Sequence, residues 1–492
     1  MEIYTRDDHD AAVARIAIQV QAYHVAQTAF RINHGSSNTT RSRGVSESYI
    51  TISQLQHILH VSAESNTALV EPNVALDTLI EATLPLQRMP PVVMEFPGIT
   101  VGGGFSGASG ESSSFRHGLF DCTVNWIEML LADGRVVRAW RRGKNQDLFH
   151  AARCGLGTLG IVTLLEVALV PAKEYVRCTY QPVTSGKDMV QALRNSCSEP
   201  ELDFVEAIMF HKTEGVVVRG WMSSGTEEQL PVHRFSRAWD SWFYEHAYQF
   251  SQKLKWHAEL VPIRDYLFRY DRGAYWTGAS LFGYFGLPST SLTRWILDPL
   301  LHARELVHAM TVSESAAEDV VQDLIVPAEK AEEMVEWLAV EVGVWPLWIC
   351  PVRRIDMNAD MQPFAPATVA GHLALNIGVY GTQSRAADEL FALNRHIEAK
   401  LQDLAGRKAA IRRQLASQHM GQDEWDMFSL SDTAVDVEAV PAKYLAAGGA
   451  VVYLQCVSEE LRRMKSGREC PLNVIIGRIS SRSKRECKEY GR

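Results

Sequence analysis

The sequence predicts an α+β fold of at least two domains. At 492 residues the chain exceeds what one ordinary core can organise. From residue 175 to about 381 the pattern is less regular, and strand–helix–strand alternation with aromatic-rich connections suggests an α+β second domain. Residues 97–120, PGITVGGGFSGASGESSSFRHGLF, form a glycine- and serine-rich stretch around which the remainder is organised. The composition, 46% hydrophobic and 22% charged, is that of a globular protein. A net charge of −9 argues against nucleic acid as a partner. The eight cysteines form no C-x-x-C pair and no metal-ligand spacing, so they read as buried thiols of a reducing compartment, with no metal expected. The N-terminal MEIYTRDDHDAA is polar and acidic, unlike a signal peptide, and no run of about 18 apolar residues follows. The expectation is an intracellular protein, cytoplasmic or touching a membrane only peripherally.

Taken in order, residues 9–28 carry Val13, Ile16, Ile18, Val20 and Val25 in a mainly helical rhythm. TAFRINHGSS changes to a short strand and a turn, and SYITISQL and TALVEPNVALDTLIEATL follow as strand, turn and amphipathic helix. Residues 97–120 read as a loop, too poor in Cβ atoms to pack a core but able to bring backbone N–H groups close to an anion. Val101, Phe105 and Phe115, spaced through it, set it apart from a flexible linker. TVNWIEMLLADGRVVRAW reads as two strands joined by an Asp133-Gly134 hairpin turn. DLFHAAR is a short helix, residues 155–160 a tight turn, and GIVTLLEVALVPA a buried strand ended by Pro171. A shift in composition marks a domain boundary there, giving domains 1–171 and 172–430. In the second domain VRCTYQPV, FVEAIMF, VVVRGWM, WPLWICPV and LALNIGVYG read as strands, and DMVQALRNS and AEKAEEMVEWLAVEV as helices. The aromatic-rich run from WDSWFYEHAYQF to RYDRGAYWTGASLFGYF suits either core or a flat apolar ligand pocket. Residues 383–428 look helical, and 431–492 read as an atypical, partly disordered basic tail.

Gly102, Gly104 and Gly107 satisfy G-x-G-x-x-G, and so do Gly155, Gly157 and Gly160. A dinucleotide fingerprint needs a strand before it and a helix opening on it, and neither match has both. A nucleotide fold other than the Rossmann type is therefore required. RINHGSSNTTR supplies a second polar turn, with Arg31 and Arg41 as countercharges; a pyrophosphate would suit it, and an ordinary polar turn reads as well.

Several pieces together carry a resemblance: RINHGSSNTTR, ALVEPNVALDTL, residues 97–120, ADGRVVRA, NQDLFHAARCGLGTLGIVTLLEVALVPAKEYV, RYDRGAYW, VVQDLIVP, WPLWICPV, NIGVYG and EWDMF. In this order, from about residue 12 to 428, they resemble the p-cresol methylhydroxylase / vanillyl-alcohol oxidase superfamily of flavoproteins. More narrowly they are similar to the delta-24 sterol reductases, through ESSSFRHG and WPLWICP. The chain departs from that pattern in GRKAAIRRQLASQHMGQDEWDMF, in everything after Ser431, and in lacking the membrane anchor of the animal reductases.

The resemblance implies a two-subdomain, non-Rossmann FAD-binding domain followed by an α+β substrate cap. It implies that FAD, held without a covalent bond, lies on Asn33, His34, Gly35, Ser36, Ser37 and Asn38 from the first loop. The second loop would contribute Pro97, Gly98, Thr100, Val101, Gly102, Gly103, Gly104, Gly107, Gly110, Ser112, Ser113, Ser114 and His117. Gly155, Gly157, Thr158, Gly160, Ile161 and Val162 would follow the adenine and ribose. Covalent attachment through His34 is the alternative. The implied activity is reduction of an isolated C=C bond of a sterol or related lipophilic side chain, with NADPH as reductant. Tyr380 or Tyr275 is the expected proton donor, and Arg272 would orient the tyrosine or hold NADPH phosphate. His117 is a rival donor, though a glycine-flanked histidine at a loop exit is more often a structural hydrogen-bonder. An FAD-linked oxidase of a small alcohol or lactone, or a catalytically weak flavin-binding protein, are the competing readings.

Overall fold

The structure is a computed structural model describing residues 4–28, 30–35, 48–153, 157, 159–225, 229–279, 282, 287–288, 290–306, 319–353, 373–382 and 387–408. The tail at 431–492, EWDMF and the polar residues Ser36, Ser37, Asn38, Gly155 and Thr158 lie outside these residues.

The first helix, Arg6–Val25, opens on a reciprocal cap: Thr5 Oγ1 accepts from the Asp8 N–H, and the Asp8 carboxylate accepts from the Thr5 N–H at 2.8 Å. Such caps contribute about 1 kcal/mol. Its apolar stripe, Ala12, Val13, Ile16 and Val20, packs on Ile50, Ile52, Leu55 and Ile161. Two short strands, β1 (Arg31–Asn33) and β2 (Tyr49–Thr51), pair in parallel beside it.

Next come β3 (Ile58–Ser62), β4 (Thr67–Val70), β5 (Arg88–Met89), β6 (Val124–Leu130), β7 (Val136–Trp140), β8 (Ile161–Ala168) and β9 (Val170–Pro171). They form an antiparallel sheet of order β3-β4-β8-β6-β7 and a small ribbon of β5 with β9. The β6–β7 connection is the expected hairpin, with Gly134 at φ 85° and the Leu131 N–H bonded to the Arg135 carbonyl.

The remaining strands are β10 (Tyr175–Val183), β11 (Phe204–His211), β12 (Glu214–Ser223), β13 (His257–Pro262), β14 (Asp319–Pro327), β15 (Leu347–Arg353), β16 (Leu373–Thr382) and β17 (Arg407–Lys408). They make one antiparallel sheet of order β13-β10-β12-β11-β15-β16-β14-β17. Side chains alternate between its faces, as strand geometry requires. Val205, Ala207, Met209, Leu347, Ile349, Leu375, Ile377 and Val379 enter one core with the helices Gly186–Cys197, Ala331–Glu341 and Ala387–Asp403. Phe204, Ile208, Trp348 and Cys350 enter the opposite core, which is continuous with β4, β6 and β8 of the first sheet. Among the described residues every strand pair except β1–β2 is antiparallel, so no strand–helix–strand crossover of Rossmann type occurs.

The glycine-rich stretch is not the coreless loop the sequence suggests. Val101–Gly107 and Ser114–His117 are helical, and Val101, Phe105 and Phe115 are buried. The glycines make this packing attainable. A Cβ on Gly102 would stand 2.7 Å from Pro72 Cβ, and one on Gly104 would stand 2.9 Å from the Phe120 ring. We expect Gly102→Ala to cost about 1–3 kcal/mol in urea unfolding, because the neighbour that must move includes backbone. Gly107→Ala, whose Cβ would meet only Ser109 Oγ at 3.6 Å, should leave stability unchanged or raise it through helix propensity.

Candidate active site

The cofactor residues expected from sequence fall into two groups. In the first, Asn33 Oδ1 accepts from the Gly35 N–H at 3.3 Å, and Gly35 takes a left-handed φ of 75° against Ser53. Gly157, at φ 80°, lies against Ile32 of β1. The turn at 72–74 links this group to the second: Asn73 Nδ2 donates to the Ile52 carbonyl at 2.6 Å, and the Gly102 N–H to the Pro72 carbonyl at 2.8 Å.

The N–H groups at the start of the Val101–Gly107 helix are already engaged. Val101 bonds to the Val74 carbonyl, Gly102 to that of Pro72, and Gly103 to Thr100 Oγ1. What the helix leaves open is its other face, where Gly103, Ser106 and Gly107 present no side chain longer than a hydroxymethyl. A Cβ at Gly103 or Gly107 would meet only Thr100 Oγ1 or Ser109 Oγ, so backbone here is open to close approach by a flat or anionic group. Of the residues expected to hold FAD, Gly103 and Gly107 thus have no side chain in the way of such a contact.

Ser112, Ser113 and Ser114 turn inward instead. Ser112 Oγ donates to Glu111, Ser113 Oγ to the Pro91 carbonyl at 2.8 Å, and Ser114 Oγ accepts from the Glu111 N–H at 2.8 Å. Ile161 joins the core beneath the first helix, and Gly160 runs against the Leu130 carbonyl. His117 lines a cleft of about 550 Å³ with Arg116, Lys173, Asp203 and Trp221, and burial lowers its pKa to about 4. It is therefore neutral near pH 7.

Tyr275 and Tyr380 come together, with ring centroids 5.0 Å apart. Tyr270 stacks on Tyr275 at 4.2 Å, and Phe96, Trp276 and Trp348 each stand 5.6 Å from it. Tyr380 Oη donates to Asp323 Oδ1 at 2.6 Å, and Asn376 Nδ2 donates to the same oxygen at 3.1 Å. Register explains the grouping: Gly378 pairs with Trp348 on one side and Asp323 on the other, and Tyr380 lies two residues along β16 on the same face. Gly378 is needed there because a Cβ would stand 2.5 Å from Tyr380 Oη. Burial raises the pKa of Asp323 above the usual carboxylate range, and burial and then Asp323 raise that of Tyr380. Tyr380 Oη and Asp323 are thus a buried, directly hydrogen-bonded donor and acceptor.

Tyr275 sits in the left-handed region at φ 64°, after Gly273 at 84° and Ala274 at 43°. For an aromatic residue this is a strained conformation of order 1–3 kcal/mol. Arg272 does not face the tyrosines. It donates to Asp298 at 2.8 Å and to the carbonyls of Asp240 and Ala238, fastening the turn from behind. The arginine of RYDRGAYW that bonds to residues of the site's wall is Arg269. Fully buried, it donates to Glu111 at 2.8 Å and to Glu206 at 2.9 Å, while Glu206 also accepts from Trp348 at 2.7 Å and Tyr270 at 3.1 Å. Burial, then the neighbouring Glu111, raises the pKa of Glu95 well above normal. Sequence reasoning did not single out Asp323, Glu95, Glu111, Glu206, Arg269 or Gly378, although most lie within the quoted motifs.

Residues 11–139 match the family model described as an FAD binding domain. The chain carries an FAD-binding domain. It is 32% identical to a delta(24)-sterol reductase from Pisum sativum over 63% of this chain and 57% of that protein. It is 26% identical to the Homo sapiens delta(24)-sterol reductase over 76% of this chain and 71% of that protein. It is also 30% identical to cytokinin dehydrogenase 9 from Oryza sativa over 44% of this chain and 43% of that protein. The match thus spans a little over half the length of the plant sterol reductase. The resemblance read from the motifs, to the delta-24 sterol reductases within the p-cresol methylhydroxylase-type FAD proteins, is borne out.

His302 holds the site's turn in a pH-dependent way. Its Nδ1 lies 2.6 Å from Asp271 and its Nε2 3.4 Å from Asp298, and these carboxylates raise its pKa to about 9. A raised pKa stabilises the fold fully below pH about 6.5 and loses that contribution as pH rises through about 9. His302→Gln should flatten the decline of melting temperature between those pH values.

Proposed function

We propose that the chain is an FAD-dependent reductase of an isolated carbon–carbon double bond in a sterol-like side chain, drawing its electrons from NADPH. In this reading residues 1–171 hold the cofactor and 172–430 form the substrate cap. FAD, when bound, supplies the hydride exchange. Saturating the alkene also takes one proton, which is the chain's own to deliver. The Tyr380–Asp323 pair carries this reading, because it is a buried, hydrogen-bonded donor and acceptor beside a wall of Phe96, Tyr270, Tyr275, Trp276 and Trp348. When Asp323 is protonated it can donate to Tyr380 Oη, leaving the tyrosine proton free to point away from it. The aromatic wall keeps water out and offers an apolar surface to a hydrocarbon.

A second reading, an FAD-linked dehydrogenase or oxidase, draws on the similarity to cytokinin dehydrogenase 9. Anaerobic addition of NADPH separates the two: bleaching of the flavin absorbance is expected for the reductase, and a flavin that stays yellow favours the second reading. Tyr380→Phe should lower turnover of a lipophilic alkene about 10²–10⁴-fold while the flavin content is retained. Full turnover in that variant would remove Tyr380 as the donor. No helix among the described residues is long and apolar enough to cross a membrane, and we propose that any membrane contact in taking up the substrate is peripheral.

A further inference from the structure

At the outer edge of the large sheet, three segments bring histidines around one buried carboxylate. His246 comes from the helix Phe243–Lys253, Glu259 from the edge strand β13, and His233 from the chain that bonds to β13 through the His233 N–H and the Leu260 carbonyl. The ligand atoms of His233, His246 and Glu259 all lie within 4.8 Å of one another. His246 Nε2 is 2.9 Å from Glu259 Oε1, and the half-buried His257 Nε2 is 3.2 Å from Glu259 Oε2.

An ordinary hydrogen-bonded cluster accounts for His246, His257 and Glu259, but not for His233. Its Nε2 is buried and has no hydrogen-bond partner among the described residues, although its ring stacks on His246 at 4.0 Å. A buried imidazole nitrogen left unpaired next to an anion and a second imidazole is the arrangement a metal ion completes.

We propose that His233, His246 and Glu259 form a site for a divalent transition metal of the Zn²⁺ class, with His257 or water as the fourth ligand. Nitrogen and oxygen donors of this kind suit Zn²⁺, which binds histidine at roughly 2.0–2.1 Å in tetrahedral geometry. Ligands of such a site stand roughly 3.4 Å apart, which small side-chain rotations reach from the present spacing. Tyr180 donates to Glu259 Oε1 at 2.7 Å, an outer hydrogen bond of the sort that orients a ligating carboxylate. Phe235, Phe243 and Phe250 pack around the His246 and Tyr180 rings, so the site is walled from water on that side. The ion would staple the edge strand to the helix, a role independent of the reaction proposed above.

Untagged, flavin-loaded full-length protein, dialysed against EDTA, should bind one Zn²⁺ per chain saturably in calorimetry and melt at a higher temperature with it. His233→Ala should weaken that binding about tenfold or more, and should lose most of the rise in melting temperature that Zn²⁺ gives over each protein's own metal-free value. Co²⁺ added to the unaltered protein should give the intense visible bands of a tetrahedral site, a readout that needs no variant. Absence of saturable binding, binding unchanged in His233→Ala, or weak octahedral Co²⁺ bands would each overturn the assignment.

Discussion

The guanidinium of Arg269 is the contact on which the site depends. It is wholly buried between Glu111, from the glycine-rich segment, and Glu206, from the middle of the large sheet. Nearby, the same segment is tied to that sheet by the Val205 N–H on the Ser112 carbonyl and by Cys350 Sγ on the Glu111 carbonyl. A buried ion pair is weak evidence of stability by itself, because desolvation offsets much of its attraction. Its value here is positional. Breaking one partner would strand a charge in an apolar core, so only one docking of the two halves satisfies all three groups.

From that fixed point the aromatic wall follows. Tyr270 donates to Glu206 and stacks on Tyr275, and the left-handed turn at 273–275 swings Tyr275 back toward Tyr380. Trp276 Nε1 donates to the Tyr380 carbonyl at 2.7 Å and closes the circuit. The strain in the turn is tolerated because Arg272, Asp298 and His302 hold it from behind. Thus RYDRGAYW carries two arginines with opposite duties, one anchoring the halves and one clamping a loop.

Local sequence gave access to most elements because their signals are short-range. The Asp133-Gly134 hairpin, the helix at DLFHAAR and the alternating strands of the large sheet need only neighbouring residues to be read. The glycine-rich stretch misled for a definable reason: glycine reads as loop, yet Gly102 and Gly104 are there so that a helix can press against Pro72 and Phe120. The tyrosine pair was visible in RYDRGAYW and NIGVYG, but its partner Asp323 was not. VVQDLIVP resembles any buried strand, and only the long-range register of β14 on β16 sets that aspartate beside Tyr380. Nor could spacing reveal which arginine points inward, since the left-handed turn after Arg272 breaks any period.

Gly378 and Tyr380 behave as a single heritable unit. The tyrosine lies over its own strand, in the volume a side chain at 378 would fill. A lineage that keeps the tyrosine in this place can change 378 only by displacing its ring, whereas one that loses it removes that clash. Drift at this one glycine would therefore record that the tyrosine ring had left its place over the strand.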